Sequence, residues 1–147
     1  MPTRTARTAW KGTLPEGSGT TELASSGLGT YDVSWPKRTS DTADGTTSPE
    51  ELIAAAHASC FAMAFSGAVA KAGGTPNGVD VTADVDFGPD SERGGFMISK
   101  IHLTVRADVE GLDEAGFQAV AEDAKAGCPV SKALAATTIT MDAALKG

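Results

Sequence analysis

The stretch Ser48 to Ala72, SPEELIAAAHASCFAMAFSGAVAKA, decides the layout of this 147-residue chain and carries the first of its two cysteines, Cys60. Ser48 suits a helix N-cap, and Pro49 suits the first helical position, where its missing N–H costs nothing. Glu50 and Glu51 then place carboxylates at the positive end of the macrodipole. Beyond them Leu52, Ile53, Ala56, Phe61, Met63, Ala64, Phe65, Ala68 and Val69 spread apolar side chains around most of the cylinder, the pattern of a buried helix. Gly73 and Gly74 stop it. Roughly 24 residues at about 1.5 Å each make a rod of about 36 Å, enough to cross a small domain or to run past a twofold axis into a partner. His57, Ser59, Cys60 and Ser66 interrupt the apolar run, so the stretch is expected to be too polar to span a membrane.

Working outward, Thr5 to Gly12 and Ser18 to Ala24 read as short strands of a hairpin turned around Pro15 to Gly17. Thr30 to Trp35 alternates like a third strand, which Pro36 ends. A polar loop, Lys37 to Thr47, follows. After the helix, Gly73 to Gly78 reads as a turn and Val79 to Phe87 alternates apolar and acidic residues with period two. Phe96 to Val109 alternates again and is expected to pair antiparallel with it. Asp113 caps a second helix, Glu114 to Ala126, with Phe117, Val120, Ala121 and Ala124 at helical spacing. Gly127 ends that helix, Pro129 begins a short third one through Ala136, and Thr137 to Leu145 closes as a strand. The fold class is therefore α+β, with antiparallel sheets around a long buried central helix, in a single domain over residues 1–147. Whether the six strands form two sheets or one completed across a dimer is open at this level.

A net charge of −7, from 12 basic and 19 acidic residues, speaks against a nucleic-acid footprint, which needs clustered Lys and Arg. Met1 to Thr13 has basic residues without an apolar run behind them, so neither a secretory signal nor a membrane anchor is expected, and a cytoplasmic location follows. In a reducing compartment, cysteines 68 positions apart are buried inert thiols or a redox pair rather than a structural staple.

Cys60 sits mid-helix, where the dipole of its own helix does little to acidify it. A reactive Cys60 needs a cationic neighbour, and an arginine serves better than a lysine because it stays charged when partly buried and presents a fork of donors. Arg38, at the mouth of the polar loop, is the first candidate, with Lys37 beside it. Glu50 is able to pair with Arg38 and fix it. Glu50 lies ten residues before Cys60, about 15 Å along the axis and about 80° around it, too far for one Arg head to touch both in one chain. A trio acting together thus points to two chains crossing at a twofold axis. Cys128, between Gly127 and Pro129, lies at a helix N-terminus and suits a resolving thiol. Such a pair attacks a peroxide, forms a sulfenic acid and condenses to a disulfide, with no metal or organic cofactor. The bland alternative is that both are small buried hydrophobes, as most free cysteines are. His57 reads first as a satisfied core imidazole, and as a base or ligand only behind that. With no CxxC or HxxxH spacing a zinc site is disfavoured, as is a Cys-His acyl-transfer nucleophile.

SPEELIAAAHASCFAMAFS, followed by AGCPVSKAL, resembles the osmotically inducible protein C (OsmC) family, relatives of the organic hydroperoxide resistance proteins. The likeness extends to WKG near the start and to the VTADVDF and ISKIHLTV segments. It implies an intertwined α+β homodimer with two interfacial sites and a thiol-dependent peroxidase that favours organic hydroperoxides over hydrogen peroxide and is recycled by a dithiol reductant. Carried over residue by residue, Cys60 corresponds to the peroxidatic cysteine, Cys128 to the resolving one, Glu50 to the carboxylate after the motif proline and Arg38 to the loop arginine. No cofactor, nucleic acid or membrane partner is implied. A different class remains as the alternative: a non-catalytic module that holds a small molecule or partner with the same helix.

Overall fold

A computed structural model describes residues 1–146, and the chain divides into two compact units, Met1–Leu52 and the remainder from Ile53 onward. In the first unit β1 (Arg7–Lys11), β2 (Ser18–Glu22) and β3 (Thr30–Val33) form an antiparallel sheet in that order. The hairpin falls where the turn residues put it. Gly17 is obligatory there, since a Cβ would meet the Thr13 carbonyl oxygen at 2.3 Å and the Trp10 ring at 2.9 Å.

The third strand is shorter than its alternation suggested. Trp35–Arg38 forms a helical turn, α1, because Ser34 accepts a hydrogen bond from the Lys37 N–H and Pro36 sits in the first turn, where it has no donor to lose. The loop beyond returns to the sheet through a bridge between Val33 and Thr47. Helix α2 (Pro49–Lys71) starts there, its Ser48 hydroxyl accepting from the Glu51 N–H at 3.1 Å.

The second unit holds the rest of α2, then β4 (Thr75–Pro89), β5 (Phe96–Glu110), α3 (Glu114–Gly127), α4 (Pro129–Ala133) and β6 (Thr138–Leu145). β4 begins earlier than expected. A register shift between Pro76 and Gly78 absorbs the turn-like residues into an edge strand, where a proline is tolerated. β4 and β5 pair antiparallel, with Val81 opposite Val105 and Val85 opposite Ile101. One pairing departs from the antiparallel expectation: β6 runs parallel to β5, with Ile101 opposite Ile139 and Leu103 opposite Met141. The two helices between these strands supply the crossover that a parallel pair requires. α4 stops at Ala133, with Leu134 as its C-cap, short of Ala136.

The core of this unit gathers Ile101, Leu103, Val105 and Ala107 of β5, Phe117, Val120, Ala121 and Ala124 of α3, and Phe61, Phe65 and Val69 of α2. Phe65 stacks near Phe61, with centroids 6.0 Å apart, and meets Phe117 edge-on at 5.8 Å. Beyond the buried Glu50 of its first turn, burial on α2 follows a stripe at four-residue spacing, His57, Phe61, Phe65 and Val69. Ala55, Ala56, Ser59, Gly67 and Ala70 are exposed, and Met63 is 70 % exposed, so the helix is not buried on all sides within the chain.

The membrane expectation also needs correction. An 18-residue window of α2 has a mean hydropathy of 1.7, and by length and composition the helix is apolar enough to cross a bilayer, because its few hydroxyl and thiol groups offset the alanines and phenylalanines only slightly. Its stripe is instead spent on the protein core. Replacing Phe65 by Ala removes the ring that joins α2 to α3, and urea unfolding is expected to show a loss of about 3–5 kcal/mol.

Candidate functional site

The four residues singled out in the sequence form two pairs. In the first unit Arg38 and Glu50 make a bidentate ion pair: Arg38 Nη2 donates to Glu50 Oε1 at 2.7 Å, and Nε donates to Oε1 and Oε2 at 3.2 and 3.1 Å. The local cause is α1, whose helical turn puts Arg38 in its last position, and the Ser48 cap, which places Glu50 in the first turn of α2. The guanidinium carbon also lies 5.9 Å from the centroid of the Trp35 ring. Glu50 is buried, and only 28 % of the Arg38 side chain is exposed, so two charges are matched in a place where an unmatched one is costly. The neighbouring cation goes elsewhere. Lys37 pairs with Asp44, whose carboxyl is held below its ordinary value by hydrogen bonds from Lys37 and then Thr42.

A cavity of about 390 Å³ lies against Arg38, lined also by apolar groups including Trp10, Leu14, Trp35 and Leu52.

In the second unit Cys60 and Cys128 are free thiols with their sulfurs 3.2 Å apart. Cys60 projects from the middle of α2. Cys128 is at once the C-cap of α3 and the N-cap of α4, and it is fully buried. The sulfur occupies the place of the usual capping oxygen without making a cap hydrogen bond of standard geometry. Its surroundings still favour a thiolate. Burial pushes Cys128 up, but the N–H and hydroxyl of Ser131, the Cys60 thiol and the Val130 N–H outweigh it, and the net direction is down. For Cys60, burial raises the thiol, the Val130 N–H offsets part of the rise, and the Cys128 sulfur adds to it. Within the second unit Cys60 is therefore the more basic sulfur of the two, and a reactive Cys60 requires a cation.

Ser131 was not singled out in the sequence. It is buried at the third position of α4, and its Oγ lies 2.7 Å from His57 Nε2 across 74 residues of chain. Nothing local signals that contact beyond a hydroxyl residue in the first turn of a helix. His57, expected as a satisfied core imidazole, is only half satisfied, since its buried Nδ1 has no hydrogen-bond partner.

The chain is thus of the α+β class, with two three-stranded sheets and two free thiols in contact. Residues 42–142 match the family described as OsmC-like protein, and the chain belongs to that family. It is 42% identical to the peroxiredoxin OsmC of Escherichia coli strain K12 over 137 residues, 93% of this chain and 92% of that one. It is 33% identical to the organic hydroperoxide resistance protein OhrA of Bacillus subtilis strain 168 over 87 residues, 59% of each. Among solved structures, an organic hydroperoxide resistance protein from Elizabethkingia anophelis superposes with a TM-score of 0.76 at 25% identity, covering 100% of this chain and 97% of that one.

Burial lowers the His57 pKa from its ordinary 6.5. The unfolded chain then binds a proton at a pH where the folded one does not, so stability is full above the unfolded value and falls below it. Between pH 7 and 5.5 the unfolding free energy is expected to fall as this group takes up a proton in the unfolded chain. Urea titrations across that range check this, and His57→Gln should flatten the dependence.

Proposed function

We propose that this chain is a cytoplasmic two-cysteine hydroperoxide reductase, a single OsmC-like domain acting as an intertwined homodimer without metal or organic cofactor. The observation that carries it is the pair of free thiols at 3.2 Å in a chain 42% identical to a protein named peroxiredoxin OsmC. Two sulfurs at that distance need only a small approach to reach the ~2.05 Å of a disulfide.

In this reading the Cys60 thiolate attacks the peroxide. A sulfur–oxygen bond forms as the O–O bond breaks, and the leaving alkoxide takes up a proton and departs as an alcohol. Cys128 then attacks the sulfenic sulfur, the S–S bond forms, and hydroxide leaves as water. A dithiol reductant restores both thiols by exchange.

Arg38 is the cation that this Cys60 lacks within its own unit, and Glu50 holds the plane of its guanidinium. Ten residues of helix between Glu50 and Cys60 favour a site completed by the second chain. The exposed apolar face of α2, with Met63 and Gly67, suits that second copy. The apolar cavity beside Arg38 suits the alkyl part of an organic hydroperoxide better than hydrogen peroxide. The same cavity favours a second reading, a non-catalytic module that binds a small apolar molecule. Alkylation at neutral pH separates the two: rapid labelling of Cys60 supports the enzyme, and protection until denaturation supports the module.

The direct test is consumption of an organic hydroperoxide in the presence of a dithiol. Turnover is expected for the wild type and none for Cys60→Ser; full activity in that variant would end the proposal. Arg38→Ala should raise the Cys60 pKa and slow oxidation at neutral pH, by about threefold for a one-unit rise because the smaller thiolate fraction is partly offset by higher nucleophilicity. A thiol titration that does not move in this variant rejects Arg38 as the activating cation.

A further inference from the structure

The two sulfurs, both free thiols, stand 3.2 Å apart, close enough to share one bound atom. Cys128 is fully buried, and it closes α3 as it opens α4, so its sulfur has little freedom to move away. Cys60 is only half-buried and gives the pair its opening to solvent. A soft electrophilic centre that takes two thiols meets donors whose spacing is set in advance.

That spacing selects the centre. With bonds of about 2.3 Å, the length of a zinc–thiolate bond, two sulfurs on a tetrahedral ion stand ~3.8 Å apart, and on a linear one ~4.6 Å. A separation of 3.2 Å corresponds instead to an angle of about 90° at the shared atom. A three-coordinate atom with a lone pair, such as trivalent arsenic, holds its bonds close to that angle. The donor count agrees. Among the described residues there is no group of three or more His, Cys, Asp and Glu that could hold a metal ion, so the chain does not itself supply the four ligands of a structural zinc.

Charge points the same way. A metal cation requires both sulfurs as thiolates, whereas burial, and then the adjacent Cys128 sulfur, push the Cys60 thiol up. Arsenous acid is neutral and exchanges with thiols in their protonated form. Each exchange breaks an As–O bond and forms an As–S bond, and the departing hydroxide leaves with the thiol proton as water. Two exchanges release two waters and no net proton, and no atom changes oxidation state.

We propose that the reduced Cys60–Cys128 pair is a chelating site for trivalent arsenic, with both sulfurs on one arsenic atom and a hydroxide in its third position. An occupied pair has no thiol left to attack a peroxide, so the adduct also blocks the reductase chemistry described above.

The experiment incubates the reduced wild-type protein with arsenite, free of other thiols and of peroxide, and reads native mass spectrometry and cysteine alkylation. One arsenic per chain is expected, with the mass gain of one arsenous acid less two waters and both cysteines protected from alkylation. Dithiothreitol should strip the arsenic, and the same concentration of thiol groups supplied as a monothiol should do so at least about a hundredfold less effectively. Half-saturation should be alike at pH 6 and pH 8, whereas a zinc complex, which releases protons as it forms, weakens in acid. Cys60→Ser and Cys128→Ser, checked for folding by circular dichroism, should each bind at least about a hundredfold more weakly. Cys60→Ser changes the less buried position and decides the matter if Cys128→Ser does not fold. No adduct at millimolar arsenite, or undiminished binding in Cys60→Ser, overturns the inference. An adduct on a chain that turns over no hydroperoxide upholds the site and ends the peroxidase reading, and turnover without an adduct does the reverse.

Discussion

The two sulfurs come within 3.2 Å only because segments 68 residues apart bury their apolar stripes in one core. Phe61 and Phe65 follow Cys60 on α2, while Phe117, Val120 and Ala124 lie on α3, just ahead of Cys128. Each fully buried aromatic or branched side chain contributes on the order of 1.5–3 kcal/mol of transfer free energy, far more than a thiol–thiol contact supplies. Packing therefore sets the sulfur geometry, and the chemistry inherits it. The same register brings His57, one turn ahead of Phe61, against α4.

Charge is sorted as strictly as apolar surface. Two adjacent cations in the polar loop, Lys37 and Arg38, take different carboxylates, Asp44 and Glu50. The exposed pair is screened by water and ties the loop weakly. The pair that is mostly withdrawn from solvent is the bidentate one, and its planar match fixes the guanidinium in both position and orientation. A lysine in place of Arg38 would keep the charge and lose that plane.

The long helix, the β4–β5 hairpin and the amphipathic α3 were legible in the sequence because each depends on local periodicity and capping. Ser48 and Asp113 cap where hydroxyl and carboxylate residues usually do, and the alternation from Phe96 onward survives as the buried row Ile101, Leu103, Val105 and Ala107. What escaped was decided at longer range or by competition between local rules. Pro36 reads as a strand breaker, yet Ser34 turns the same residues into a helical start. The direction of β6 follows from the crossover through α3 and α4, which no property of TTITMDAAL encodes. The Arg38–Glu50 and Cys60–Cys128 pairs were open to chemical reasoning, whereas the contact of His57 with Ser131 spans 74 residues and leaves no mark in either neighbourhood.

The dual position of Cys128, closing one helix and opening the next, bears on what can reduce the protein. Its sulfur is fixed by two helix ends, so each thiol sees the other at a very high effective concentration. If a single-thiol reductant opened a Cys60–Cys128 bridge, the released thiolate would remain against the mixed disulfide and expel the newcomer before a second molecule arrived. A reductant carrying two linked thiols meets this intramolecular competitor with one of its own. In the proposed cycle a rigid helix joint would thus act as a filter on the reductant.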